Sequence, residues 1–91
     1  MAAFSFDGFD LGRIDGLARP LLVARGSKGY AACAYVDVGG AEKFEEAGII
    51  FSGVATHADM AGSDVKKASP AALALGVTVG MKGADALELL R

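Results

Sequence analysis

Apolar positions in this 91-residue chain fall into short runs punctuated by glycine, with period two in the first half and helix-like spacing near the end. Phe4-Ser5-Phe6 alternates as a first strand would and then meets Asp7-Gly8, a turn signal. Phe9, Leu11 and Arg13 keep period two, which predicts a strand over Phe9 to Ile14, closed by Asp15-Gly16. Pro20 to Arg25 is a compact apolar run, and Pro20, lacking an amide donor, suits the first position of a strand. Gly26-Ser27-Lys28-Gly29 then supplies two residues that turn freely, and the chain resumes as Tyr30 to Val38, so these runs predict a hairpin. In that second run Tyr30, Ala32, Ala34, Val36 and Val38 share one face, and Ala31, Cys33, Tyr35 and Asp37 the other. Neither face is polar before Asp37, so the strand is expected to be central. Helices would cover one face and a second subunit the other.

Gly39-Gly40 should end that strand. Ala41 to Ala47 reads as a short helix with Glu42, Glu45 and Glu46 outside, Phe44 inside, and Gly48 as terminator. Ile49 to Thr56 is β-rich and apolar. Ser63 caps an expected short helix through Lys67, and Ser69-Pro70 opens another over Ala71 to Leu75 that stops at Gly76. Gly80-Met81-Lys82-Gly83 is a turn. Ala84 to Leu90 closes the chain as a helix, with Leu87 and Leu90 inward and Asp85 and Glu88 outward. Strands first and helices last predict an α+β fold. We expect a single two-layer domain over residues 1–91, with a mixed or mostly antiparallel sheet of about four or five strands and short helices on one face.

Composition adds an expectation about assembly. The apolar fraction is 53%, above the usual roughly 45–50%, with 13 glycines besides. A domain this small buries only about 60–65% of its unfolded surface. The excess is expected at a subunit interface, most simply a two-fold homo-dimer. The net charge of −2 and the absence of any basic run longer than Lys66-Lys67 argue against nucleic acid as a partner. One cysteine cannot form an internal disulfide and fits a reducing compartment. Met1 to Asp7 has no signal-peptide pattern, and no apolar run approaches membrane-spanning length, so a soluble, cytoplasmic protein is expected.

Three residues are candidates for chemistry. Cys33 is either a small buried hydrophobe or a nucleophile or redox-sensing thiol, which would need a cation, histidine or helix N-terminus nearby. Asp37 is either a cap for the Gly39-Gly40 turn or a general base or cation ligand. His57, the single histidine, follows an apolar strand beside Thr56 and Asp59, where sites often lie. Together they would make a thiol–imidazole–carboxylate set if they met within hydrogen-bond reach. No metal-ligand spacing is present, no cofactor is implied, and neither GSKG nor GMKG matches a phosphate-binding loop, so both read as backbone turns. Tyr30 and Tyr35, on opposite faces, read as core or interface packing. With no catalytic motif complete, the leading reading is a non-catalytic, self-assembling module that binds a small ligand or a protein partner. The alternative is a small thiol-dependent enzyme or redox sensor using Cys33 with His57 or Asp37.

The segment KGYAACAYVDV resembles one in the YunC-like proteins, small bacterial and archaeal domains of unknown function, where it reads KGY-x-MCG-x-LDV. GVTVGMKGADALELL is similar to their closing segment, LGI-x-PGM-x-G-x-EAL-x-x-L. The resemblance covers about Leu17 to Arg91 and places Gly29, Tyr30, Cys33, Asp37, Gly53, Gly80, Met81, Gly83 and Leu87 at recurring positions. Ala32 and Ala34 stand where Met and Gly are usual, and Val79 replaces a proline. Asp59 stands about where an arginine is expected, so an anion contact resting on that arginine would be absent here. The family implies a compact mixed α+β domain and no established reaction.

Overall fold

The computed structural model describes residues 4–91, so Met1 to Ala3 of the N-terminal reading lie outside the described residues. Five strands form one sheet in the order of the chain: β1 (Asp10–Ile14), β2 (Leu21–Arg25), β3 (Tyr30–Cys33), β4 (Gly48–Phe51) and β5 (Lys67–Ala68). The β1–β2, β2–β3 and β4–β5 pairs are antiparallel, whereas β3 and β4 run parallel with Cys33 opposite Phe51. A parallel pair needs a crossover, and here it contains α1 (Gly39–Lys43). The remaining helices are α2 (His57–Gly62), α3 (Pro70–Ala74) and α4 (Gly83–Leu90). The α+β class and the mixed sheet agree with the sequence, and β3 is the central strand as expected.

Pleating sorts the core onto one face. Leu22, Ala24, Ala31, Cys33, Ile49 and Phe51 pack there against Met60 of α2, Ala72 of α3, and Ala86, Leu87 and Leu90 of α4. Burying each of the larger side chains contributes about 1.5–3 kcal/mol. The Gly83 backbone lies so close to α2 that a Cβ there would fall 1.8 Å from the Met60 carbonyl oxygen, which is why α4 begins at glycine. On the other face Ala32 and Ile50 are also buried, and Ala41 of α1 lies close to Tyr30 and Gly48. The crossover helix α1 thus approaches this face of the sheet at the amino ends of β3 and β4.

Several local expectations fail for identifiable reasons. Phe4 to Phe6 is not a strand; its phenylalanines pack with Phe9 in edge-to-face pairs, and Arg91 stacks over Phe4 and Phe9. The run expected over Tyr30 to Val38 stops at Cys33, where Val36 N–H bonds back to the Cys33 carbonyl in a turn. Asp37 and Tyr35 consequently share no strand face with Cys33, and Gly39-Gly40 starts α1 rather than ending a strand. That helix ends early because Glu45, not Gly48, takes the left-handed conformation at φ 59, and Phe44 is left 68% exposed. Gly48 serves packing instead: a Cβ there would lie 2.8 Å from the Tyr30 ring. The strand expected to Thr56 ends at Phe51, since Gly53 turns the chain at φ +73. Ser63 terminates α2 rather than starting a helix, and residues 67–68 form β5. Ser69 and Pro70 open α3 as expected, and Gly76 ends it at φ +105.

Candidate functional site

Parallel strands leave a crevice beyond their carboxyl ends, where adjoining loops diverge. Here β3 ends at Cys33 and continues into Ala34 and Tyr35, while β4 ends at Phe51 and turns away through Gly53 and Val54. Arg19 and Pro20, just before β2, close the third side. The result is a cavity of about 180 Å³ lined by Arg19, Pro20, Cys33, Ala34, Tyr35, Gly53 and Val54. Cys33 is 4% exposed and forms part of its wall, with its sulfur accepting a 3.4 Å hydrogen bond from the Leu22 N–H. Tyr35 is 51% exposed, and its hydroxyl accepts from the Arg19 backbone N–H at 3.3 Å.

Tyr35 is also a wall of a second hollow at the same end of the sheet, about 400 Å³, lined by Ala34 to Asp37, Ile50, Ser52, Lys66 and Lys67. Its character differs. The Cys33 cavity is floored by small apolar groups, and this one carries two lysines. Asp37 lies 3.8 Å from Lys67, with both side chains well exposed.

The three sequence candidates do not form one cluster of bonded groups: no hydrogen bond or ion pair links any two of them. Cys33 lines the first cavity. Asp37 lines the second, and its carboxylate accepts from the Val38 N–H at 2.8 Å, just ahead of α1. His57 opens α2, and its Nε2 donates to the Gly12 and Val23 carbonyls at 2.9 and 3.1 Å, tying α2 to β1 and β2. Among the described residues no group of three or more His, Cys, Asp or Glu is gathered to hold a metal ion.

The amino ends of β3 and β4 are built differently. In the GSKG turn Lys28 N–H donates to the Leu90 carbonyl at 2.9 Å and the Ser27 hydroxyl donates to the Arg91 carbonyl, so the turn caps α4. GSKG is thus a backbone turn, as its residues suggest. A third hollow, about 400 Å³, lies beside it, lined by Arg25 and Lys28 and by Glu45 and Glu46 among others. Burial there, then the charges of Glu46 and Asp37, raise the Tyr30 phenol above its usual range.

Sequence reasoning missed two features. Arg19 lines the cavity although nothing in its neighbours marks it. Thr56 and Asp59 form a capping box: the Thr56 hydroxyl accepts from the Asp59 N–H, and the Asp59 carboxylate accepts from Ala55 and Thr56 N–H groups. Those backbone bonds, Ala55 foremost, pull the Asp59 carboxyl below its usual range. The T-x-x-D spacing carried that signal in a form close to the usual S/T-x-x-E. It also gives the acid at position 59 a structural role where the resemblance led one to expect an arginine.

Comparison with known proteins agrees with the fold. Residues 32–90 match a family described as a domain of unknown function, DUF1805. The chain superposes on the crystal structure of a protein of unknown function from Thermoplasma acidophilum with a TM-score of 0.86, at 30% identity, covering 91% of this chain and 81% of that one. No curated protein matches.

Proposed function

The chain belongs to the DUF1805 family, the same family as the YunC-like proteins it resembles, and from that premise we propose that it is a non-catalytic domain that binds a small molecule at the carboxyl ends of β3 and β4. One observation carries this reading: the Cys33 cavity lies beyond the carboxyl ends of the parallel pair β3–β4, the position at which ligands sit in parallel α/β sheets. Its 180 Å³ suits a group the size of an aromatic ring, since an apolar cavity of about 150 Å³ holds benzene. Benzyl alcohol titrated into ¹⁵N-labelled protein should shift the amides of Ala34, Gly53 and Val54 together, and Ala34→Phe should weaken binding by crowding the mouth. Shifts scattered over the surface, or none, would overturn the reading.

A thiol-dependent role is the second reading, favoured by the placement of Arg19 and Cys33 around one cavity, since a cation stabilises a thiolate. Cys33 would be the nucleophile or sensor, and His57 and Asp37 would act only after leaving their present backbone partners. An alkylation rate already level by pH 7 would favour it; a rate still climbing at pH 9 would favour simple binding.

Self-association remains part of the proposal, supported by Leu11, Ile14 and Leu17, exposed along and just beyond the edge strand β1. Light scattering would reveal a dimer or a monomer. Among the described residues no helix is long and apolar enough to cross a membrane. A cytoplasmic location is supported by the single unpaired cysteine.

A further inference from the structure

We propose that the two hollows flanking Tyr35 form one bipartite site, whose ligand is a small phosphate monoester with an apolar group in the Cys33 cavity and its phosphate beside Lys66 and Lys67. This rests on the ligand-binding reading above and names the class of ligand. The two hollows share Ala34 and Tyr35 in their walls. At 180 and 400 Å³ they combine to a volume within the roughly 300–1,000 Å³ typical of small-molecule sites, whereas the Cys33 cavity alone falls short of it. Their chemistry is complementary rather than repeated. The first is mostly apolar, lined by Pro20, Cys33, Ala34 and Val54 with Arg19 and Tyr35 at its sides. Ser52, Lys66 and Lys67 line the second, with the Lys67 ammonium 3.8 Å from Asp37.

Charge supports the assignment. The chain as a whole is acidic, with a net charge of −2, yet Arg19 on one flank and Lys66 and Lys67 on the other leave Asp37 as the single acid lining this composite groove. Lys66 has no ion-pair partner among the described residues, and the Asp37–Lys67 pair is long and solvent-exposed, so it holds Lys67 weakly. Two lysines lining one hollow favour a head group with about −1.5 to −2 charge and several acceptor oxygens, as a phosphate ester has and a carboxylate lacks. The hollow beside the GSKG turn has no such bias, because Glu45 and Glu46 line it along with Arg25 and Lys28.

The test compares benzyl phosphate, benzyl alcohol and inorganic phosphate by amide shifts in the intact chain. Benzyl phosphate should shift Ala34, Gly53 and Val54 together with Ser52, Lys66 and Lys67 on one binding curve, more tightly than either fragment. The double change Lys66→Gln and Lys67→Gln should weaken benzyl phosphate roughly ten-fold and leave benzyl alcohol unchanged. Asp37→Asn should tighten benzyl phosphate a few-fold by removing the competing acid. Equal binding of benzyl phosphate and benzyl alcohol, or indifference to the lysine changes, would overturn the bipartite site while leaving the Cys33 cavity standing as a ligand site. Failure of benzyl alcohol and benzyl phosphate alike to shift Ala34, Gly53 and Val54 would overturn both.

Discussion

The two ends of the parallel pair β3–β4 use glycine in opposite ways. At the amino end, Gly26 and Gly29 are required by close packing: a Cβ on Gly26 would lie 2.2 Å from the Leu90 carbonyl oxygen, and one on Gly29 2.4 Å from that of Ala47. The turn is pressed onto α4 and β4 and caps the helix. At the carboxyl end, Gly53 has nothing within 4 Å of its would-be Cβ, and only its φ of +73 calls for glycine. Both ends border hollows, but backbone and the Ala47 side chain press on the glycines of one end, while the glycine of the other answers only a sharp turn. The difference separates glycines that close packing requires from one that a backbone turn alone requires.

That contrast is open to measurement by mutation. Gly26→Ala forces the hairpin off α4 and should cost about 3 kcal/mol or more in urea unfolding, or abolish folding. Ser69→Ala should cost about 2 kcal/mol. The buried Ser69 hydroxyl accepts from the Gly48 N–H at 2.9 Å, donates to the Glu46 carbonyl at 2.7 Å and caps α3 through the Ala72 N–H, so its loss strands three backbone groups at the packed end. Gly53→Ala meets no atoms and should cost only the left-handed backbone penalty, about 1–2 kcal/mol. If Gly53→Ala proves as damaging as Gly26→Ala, the contrast between the ends fails.

The smallest effect is a titration at the carboxyl end. Asp59 in the folded chain titrates below its ordinary 3.8, chiefly through the Ala55 N–H. The stability it adds is whole above that value and is lost as pH falls through the lower folded value. The Ala55 and Thr56 amides should therefore shift under acid before global unfolding, and Asp59→Asn should remove that titration.

Much of this organisation was legible in the residues. Punctuation by glycine and proline located β1, the β2–β3 hairpin, α3 and α4, because those elements start and stop on local chemistry. Apolar character located the core of β3 and β4 but overran their ends. Ala34 to Val38 is apolar enough for a strand, yet the crossover to a parallel neighbour requires the chain to leave the sheet at Cys33. A left-handed Glu45 carries no sequence signal at all, so the helical pattern alone puts Phe44 inward. The candidate site was half legible. Cys33 was singled out as the only thiol, but Arg19 reaches the same cavity from a separate loop, a tertiary placement that no spacing encodes.

The central claim is that Cys33 borders a cavity open to small molecules in the folded protein. Its most direct test is the rate at which methyl methanethiosulfonate labels Cys33, followed by mass spectrometry at fixed pH in rising urea below the unfolding transition. An open cavity predicts labelling of the native state at a rate nearly independent of urea. A sealed core predicts labelling only through unfolding, with a rate that climbs steeply as urea lowers stability; that result would contradict the account and return Cys33 to packing.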